Sequence, residues 1–534
     1  MSNVARYRVA PIPSSPTGKR KSLVPLVILM IVCSFFLNHY RSLTGGGPRF
    51  NKEMMRLLPI MAMFSALLAC MPALGHAEPK QRLIVLTDIE ADPDDSQSLV
   101  RLLLYANQID IEGIVATTST HQKSRIAPAS IHAIIDAYGL VQPNLLKHEP
   151  GFPKAGALKA VVRSGSQLYG MQGVGDGKDT PGSDAIIKAL EKNDTRPLWV
   201  SVWGGANTLA QALYRIGHDR TPEQTARLLS KLRVYTISDQ DDSGIWIRTR
   251  FPDLFYIVSP GGYGNGTWTG MHSTEPGFDS TEVSNNWIAA HIQQGHGPLG
   301  AVYPDVSFGV EGDTPAFLSL IPNGLNAPEH PDWGGWGGRY EFYTPALETT
   351  NPDGFTGGVP VLQEPHAIWT NAVDSYTPTV YNEFGRSVRA HDKVSTGYRT
   401  TIWRWRKDFQ NDFAARMDWS TKPYKGANHP PVVKLSPGER LTVKSGEGFM
   451  LSAAGSSDPD GDSLSYLWFQ YPEAGTYKEP IKLGYAENHH TVWGQAPVVT
   501  KRETAHFIVK VIDKGSPALT RYGRVIVTFM PSAP

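Results

Sequence analysis

A chain of 534 residues exceeds what one ordinary core organises, so two folded units are expected. With 41% apolar and 19% charged residues and a formal net charge of +1, the composition is globular and argues against nucleic acid or a charged membrane surface as the main partner. The 13 Trp and 21 Tyr supply flat amphipathic rings of the kind that stack on sugars and bases.

Two apolar stretches come first. Leu23 to Leu37 follows Lys19-Arg20-Lys21 and is about 15 residues long, short of the roughly 20 that cross a bilayer. The second starts at Met54-Met55-Arg56 and runs through "LLPIMAMFSALLACMPALGHA". Its charged start, apolar middle, and Gly75 and Ala77 ahead of a cut before Glu78 read as a secretory signal peptide, with translation beginning at Met54 or Met55. Residues 1–77 are therefore a leader, and the mature chain is expected to be exported to the periplasm or beyond. Anchoring by the first stretch, or lipidation of Cys70, is the alternative. Cys33 and Cys70 are the only cysteines and both lie in the leader, so no disulfide is expected in the mature chain.

From Gln81 the pattern is strand, helix, strand. "RLIVL" has buried-strand length, Leu99, Leu102, Leu103 and Ala106 recur at helical spacing, and "IDIEGIVATT" supplies a second strand. The signal returns at Leu198 to Trp203, with Leu209, Ala212, Leu213 and Ile216 as the helix face behind it, and again in "LRVYTISD" at 232–239. Such alternation predicts an α/β domain with a mainly parallel sheet and flanking helices, its functional loops at the carboxyl ends of the strands. Between about 250 and 400 the periodicity fades into Gly, Pro, Trp and Tyr, which predicts long ordered loops packed over one face. "TIWRWRKDFQNDFAARMDWS" reads as helical, with Trp403, Phe409 and Phe413 buried. "TKPYKGANHPPVV" reads as a Pro-rich joint. The expected boundaries are an α/β domain at 78–427 and an immunoglobulin-like β-sandwich at 428–534, the latter from short alternating stretches such as Leu464 to Phe469 and Ala505 to Val511.

The stretch "LTDIEADPDDSQSL" crowds Asp88, Glu90, Asp92, Asp94 and Asp95 behind the first strand. One such carboxylate at a helix start caps orphan N–H groups. Several together repel one another and stay ionised only around a cation, and oxygen ligands without Cys or paired His point to Ca²⁺ or Mg²⁺. Acidic capping and a metal site both remain open from these residues alone.

Thr87-Asp88, Asp94-Asp95, the turn Gly204-Gly205-Ala206-Asn207-Thr208-Leu209 and Gly312-Asp313 together resemble the inosine-uridine nucleoside hydrolase superfamily. The narrower resemblance is to bacterial cellulose-binding proteins that join a nucleoside-hydrolase-like domain to a β-sandwich, through "EGDTPAFLSLIPNGL", "HPDWGGWGGRY" and "IWRWR" among others. This resemblance implies a Ca²⁺ ion held by Asp88, Asp95, the backbone carbonyl of Trp203 and Asp313. It further implies Asp88 as general base on a water, Asp94 as a substrate or ion contact and Asn207 as a substrate contact, for direct, inverting attack on an oxocarbenium-like sugar carbon. Three departures stand out: Asp88 and Asp94 are six apart where the superfamily keeps four, Leu86 replaces an Asp, and Gly312 stands where an imidazole often protonates a purine. The last argues against ordinary nucleosides as substrates. Glu311, Asp239, Asp241 and Asp242 are substitute donors or solvated loop charges.

Trp246, Trp333 and Trp336 lie in Gly-rich loops expected on the substrate side and are assigned to sugar stacking, whereas Trp403 and Trp405 are assigned to packing. His121, after the second strand, is expected near the pocket. In "SSDPDGDSLSY" the twelfth position that an EF-hand needs acidic is Phe469, so Asp458, Asp460 and Asp462 are read as a turn. The expected function is an exported, Ca²⁺-dependent glycosidase that cleaves an N- or O-glycosidic bond of a sugar conjugate in association with cellulose or another polysaccharide. The alternative is a non-catalytic carbohydrate-binding protein that keeps the metal and sugar pocket.

Overall fold

The run Gln81–Thr87 forms β1, with Leu83 and Val85 facing one side of the sheet and Ile84 and Leu86 the other, all fully buried. A strand covered on both faces is apolar at every position, which is why it reads as a continuous run. The computed structural model describes residues 79–261, 266–275, 277–350, 359–381, 387–390 and 392–532. The expectations for Leu23 to Leu37, the signal peptide, Cys33 and Cys70 lie outside these residues. Among the described residues no helix is long and apolar enough to cross a membrane.

Strand β1 lies within an eight-stranded sheet. The other members are β2 (Ile109–Ala116), β3 (Val162–Ser164), β4 (Leu198–Val202), β5 (Leu232–Thr236), β6 (Phe255–Val258), β7 (Tyr340–Tyr343) and β8 (Ile368–Asn371). The order is β3-β2-β1-β4-β5-β6-β8-β7, parallel throughout except for antiparallel β7 at the edge. The chain order reverses between β1 and β4, and the crevice at such a point, outside the carboxyl ends of the strands, is where α/β sheets place ligands.

Helices α1 (Asp94–Leu104), α2 (Pro128–His148) and α6 (Arg406–Asp418) cover the Leu83 face, and α3 (Pro181–Glu191), α4 (Asn207–Asp219) and α5 (Ser243–Arg250) the Ile84 face. Leu209, Ala212, Leu213 and Ile216 of α4 are buried, as their spacing predicts. The segment from 250 to 400 holds more regular structure than expected. Besides β6 to β8 it contains β9 (Asp374–Tyr376) paired with β12 (Ser395–Gly397), and β10 (Thr379–Tyr381) paired with β11 (Ser387–Arg389). Strands of three or four residues are too short to show a period between Gly and Pro.

After the helical end, β13 (Arg440–Lys444), β14 (Gly448–Ser452), β15 (Ser465–Tyr471), β16 (Leu483–Gly484), β17 (Thr491–Gln495), β18 (Glu503–Ile512) and β19 (Thr520–Met530) build two sheets, β13-β19-β18-β15 and β14-β17-β16. Val443, Phe449, Leu451, Trp468, Phe507 and Val527 fill the space between them. The opposite side of the larger sheet does not face water. Phe469, Tyr471, Ile508 and Tyr522 join one continuous core with Trp336, Trp405 and Phe409.

Buried polar groups lock the same seam. Asp412 of α6 accepts from Arg521 at 2.6 Å and from Tyr105 at 2.8 Å and pairs with Arg416 at 3.3 Å, while Lys510 and Tyr522 both reach Asp408 at 2.5 Å. The Pro-rich joint is tied down as well. Asn428 bonds Asp513 and the carbonyl of Pro517, and His429 rests against Asp460 and, at 2.9 Å, against His148. Asp458 accepts from the amides of Asp460 and Asp462, so the acidic stretch is a turn whose middle carboxylate fastens the joint.

Asp412→Ala would leave Arg416 and Arg521 without their shared carboxylate; the expected loss is about 3–5 kcal/mol of unfolding free energy, read by urea denaturation. The ring nitrogens of His148 and His429 share one hydrogen, and burial lowers the His148 pKa from 6.5. At His148 the folded state therefore binds fewer protons than the unfolded chain, and this residue's contribution is present above its unfolded pKa and lost as pH falls below it. Relative to His148→Gln, the parent chain should lose denaturation midpoint between about pH 7 and about pH 5.

Candidate functional site

Thr87 closes β1 and anchors the turn after it: its hydroxyl donates to Asp95 and accepts from the amide of Ile89 at 3.1 Å. The chain bends tightly here, with the Ala91 amide on the Asp88 carbonyl at 2.9 Å. Within this turn Glu90 adopts φ 80, and Arg125 and Ser130 hold its carboxylate. That is how the longer spacing between Asp88 and Asp94 is accommodated: the extra residues form an outward bend with a left-handed residue held from the side. Asp94 and Asp95 then open α1.

Asp313 arrives from more than 200 residues away, and α1 holds its loop. Gln97 accepts from the Glu311 amide at 2.9 Å, Ser98 accepts from the Thr314 hydroxyl at 2.9 Å, and Arg101 forms an ion pair with Glu311 at 2.5 Å in full burial. Glu311 itself has φ 49 and also receives the Tyr303 hydroxyl.

As a result Asp88, Asp92, Asp94, Asp95 and Asp313 line one cleft of about 50 Å³ at the carboxyl edge of the sheet. His121, Ile237, Ser238, Gln240 and Trp268 complete its wall. Oxygens of Asp92, Asp94 and Asp95 lie within 4.8 Å of one another. Burial, followed by mutual repulsion, pushes Asp95 and Asp313 well above the usual carboxylate range. Asp94 is also held well above it, by burial and then by its bond to and repulsion from Asp92. Asp88 is raised by burial, an effect opposed by the Ser119 hydroxyl.

No Lys or Arg lines the cleft among the described residues. Asp313 Oδ2 is buried without a hydrogen-bond partner. An all-oxygen donor set, mutual repulsion and an orphaned buried acceptor fit a hard divalent cation. The Trp203 carbonyl accepts from Gln240 at 2.6 Å and keeps its second lone pair.

Two glycines make room for the carboxylates. A Cβ at Gly204 would overlap the carboxylate of Asp88, and one at Gly312 would come within 2.7 Å of Asp94 Oδ2 and 3.0 Å of the Trp268 ring. Gly312 thus stands where Asp94 and Trp268 already fill the space.

Several expected contacts lie elsewhere. Trp336 is fully buried in the core with its indole N–H on Tyr522. Trp333 stacks on His330 and meets His506 edge-on, against the C-terminal sheets. Trp246 sits on α5, edge-on to Phe251 in the core of the Ile84 face. The Asn207 amide is turned to Thr118 and the Leu168 carbonyl, which makes it a support behind the site. Of the substitute donors, Asp239 is paired with Arg248, Glu311 with Arg101, and Asp242 accepts from the Met171 amide. Asp241 is held near the Asn207 and Ser243 amides, its carboxyl raised by burial to about 6.

Sequence reasoning missed Trp268, Ser238 and Gln240, and gave Asp92 no role. After β5 residues 237, 238 and 240 reach the cleft, while the acidic ones at 239, 241 and 242 are held by other partners. The signal that could have found Ser238 and Gln240 is their place directly behind the carboxyl end of a parallel strand, where α/β sheets build their clefts. Trp268, between isolated glycines, left no such signal.

Comparison with known proteins bears on the same residues. Residues 82–340 match a family described as cellulose-binding Sde182, nucleoside hydrolase-like domain, and residues 448–529 match the C-terminal domain of cellulose-binding protein Sde0182. A solved nucleoside hydrolase-related hypothetical protein from Saccharophagus degradans, described as associated with carbohydrate metabolism, is 36% identical, with 85% of this chain and 100% of that chain covered and a TM-score of 0.70. The PKD domain from KIAA 1837 protein aligns with 19% of this chain and 89% of its own at 23% identity and a TM-score of 0.15, too slight a likeness to bear on the fold. No curated protein matches.

Gly312→Ala should displace the Asp94 carboxylate and the Trp268 ring, lowering divalent-cation affinity by about tenfold or more in calorimetric Ca²⁺ titration and unfolding free energy by about 1–3 kcal/mol in urea.

Proposed function

This chain belongs to the cellulose-binding Sde182 family of nucleoside-hydrolase-like proteins, and we propose that it is an exported, Ca²⁺-dependent glycosidase that works in association with cellulose or another polysaccharide. The observation that carries the reading is the partnerless Asp313 oxygen facing four other carboxylates in one buried cleft.

Asp88, Asp95, Asp313 and the free lone pair of the Trp203 carbonyl would hold the ion, with Asp92 and Asp94 beside them. When bound, Ca²⁺ supplies positive charge that orients sugar hydroxyls and makes a neighbouring water easier to deprotonate. Asp88, fixed by Ser119 at the end of β1, takes that proton. The hydroxyl of Ser238 and the side-chain carbonyl of Gln240 are buried and partnerless and line the cleft, so they are free to bond sugar hydroxyls. His121 is the cleft's one imidazole among the described residues; it lies on the exposed side, where it can give a proton to a departing group. With water attacking directly, the anomeric configuration inverts.

A second reading is favoured by Gly312, where Asp94 and Trp268 exclude a leaving-group acid. In that reading the cleft holds a sugar through the ion without turnover.

One experiment separates the two. The full chain with Ca²⁺ is offered p-nitrophenyl glycosides and nucleosides, and sugar binding is followed by calorimetry. Hydrolysis that disappears with EGTA and falls by about 10²-fold or more in Asp88→Asn supports the glycosidase. Binding without product supports the sugar trap. Saturating Ca²⁺ should also raise the melting temperature, since about 100-fold excess over Kd stabilises by about 2.7 kcal/mol. Absence of any Ca²⁺ effect on melting, binding or turnover would remove both readings.

A further inference from the structure

Trp493 is 57% exposed, midway along β17, the central strand of the smaller C-terminal sheet. Core packing does not account for it, because the inward residues of this sheet, Phe449, Leu451 and Val492, already fill the space between the sheets. Its cross-strand neighbours are Met450 on β14, which is 62% exposed, and Gly484 on β16. A Cβ at Gly484 would overlap the pyrrole part of the indole, so the ring lies across bare backbone. Any larger residue at that position would lift the indole from the sheet.

The outward strand positions of β14 and β17 are otherwise polar and uncharged, and Lys482, two residues before Gly484, is an exposed cation at their edge. Gly448, Ser452, Thr491 and Gln495 alternate with Met450 and Trp493, and the Ser452 and Thr491 hydroxyls bond each other at 2.7 Å. Tyr485, directly after Gly484, is held at φ 61 and is 67% exposed. A flat indole in water, set among hydroxyl and amide groups without a formal charge, matches a neutral ligand with an apolar face and hydroxylated edges. With Lys482 as a lone cation at its edge, the face offers anionic polymers and acidic membranes little complementary charge. One Trp and one Met also fall well short of the roughly 800 Å² per partner of a stable protein interface.

We infer that the outer face of β14, β17 and β16 is a binding platform for β-1,4-glucan chains, with Trp493 as the residue on which a glucose ring stacks. The inference rests on the proposed polysaccharide partner, and the face lies within the residues matched by the family's C-terminal domain. It is independent of the acidic cleft.

The test is sedimentation of the full chain with microcrystalline cellulose, with cellohexaose as competitor. Trp493→Ala should lower the partition coefficient by about tenfold. Trp493→Phe should recover part of it, and Asp313→Asn should leave it unchanged. Gly484→Ala, which keeps the indole but tilts it, should show an intermediate loss; far-UV circular dichroism and the melting midpoint report that each variant is folded. Retention by Trp493→Ala equal to the parent chain overturns the platform, as does retention lost in Asp313→Asn alone. Light scattering that shows a dimer in the parent and a monomer in Trp493→Ala overturns it in favour of self-association. A parent chain that does not sediment with cellulose removes the platform, whereas hydrolysis or trapping of soluble sugars is measured separately and stands or falls by itself.

Discussion

Five aspartates facing one small cleft set the constraint that the rest of the molecule answers to. At an effective dielectric near 20, two ionised carboxylates about 4 Å apart repel by roughly 4 kcal/mol, and several such pairs coexist here. Protonation relieves part of that repulsion and a cation relieves more, because it also satisfies the buried oxygen of Asp313. The chain does not supply the positive charge itself among the described residues lining the cleft. It places its arginines one layer away, on acids that do not face the cleft: Arg101 on Glu311 and Arg248 on Asp239 and Glu364.

That separation explains the architecture around the cleft. A guanidinium among the five aspartates would compete with any ion, so the loop carrying Asp313 is held from behind. Gln97, Ser98 and Arg101 come after Asp94 and Asp95 on the same helix and fasten residues 311 and 314 to either side of Asp313. One helix therefore contributes two of the aspartates and the clamp for a third. The same economy appears in the glycines: Gly204 and Gly312 lack side chains because Asp88 and Asp94 occupy the volume. Left-handed Glu90 and Glu311 mark the two points where backbone strain is accepted to aim carboxylates inward, and both are held through their side chains.

The parts of this arrangement that arise from local pattern were legible in the sequence. The face of α4 shows burial repeated at fixed spacing, the β1 run is apolar throughout because both its faces are covered, and the carboxylates stand where the first strand must end. The illegible parts depend on partners distant along the chain. "WGGWGG" reads as a loop because nothing local shows that Trp336 meets Tyr522 and Trp333 meets His506. Trp268 reaches the cleft from a stretch without periodicity. The acidic run after β5 drew attention to Asp239, Asp241 and Asp242, although the residues that line the cleft there are Ile237, Ser238 and Gln240. Composition identified aromatic surface as important and could not say which rings face water; Trp493 is conspicuous only once its strand neighbours are known.

The join between the α/β sheet and the C-terminal sheets bears on how a surface anchor and a cleft act together. A flexible tether would let the cleft sweep the volume around its anchor, with an effective concentration set by linker length. Here the joint is packed: Trp419 donates to the Asn428 carbonyl, Asn428 holds Asp513, and His429 lies between His148 and Asp460. Beyond it, Asp408 and Asp412 on α6 bind Lys510, Tyr522 and Arg521 across a seam filled by Trp336, Trp405 and Tyr522. Separating the two parts would expose that apolar surface and strip several buried ions of their partners, so a hinge at the joint is strongly disfavoured. A chain held on a polysaccharide by its C-terminal sheets would therefore present the cleft in one fixed orientation. Its partner would be a sugar on that surface, or one diffusing to it, and not whatever lies within reach of a swinging domain.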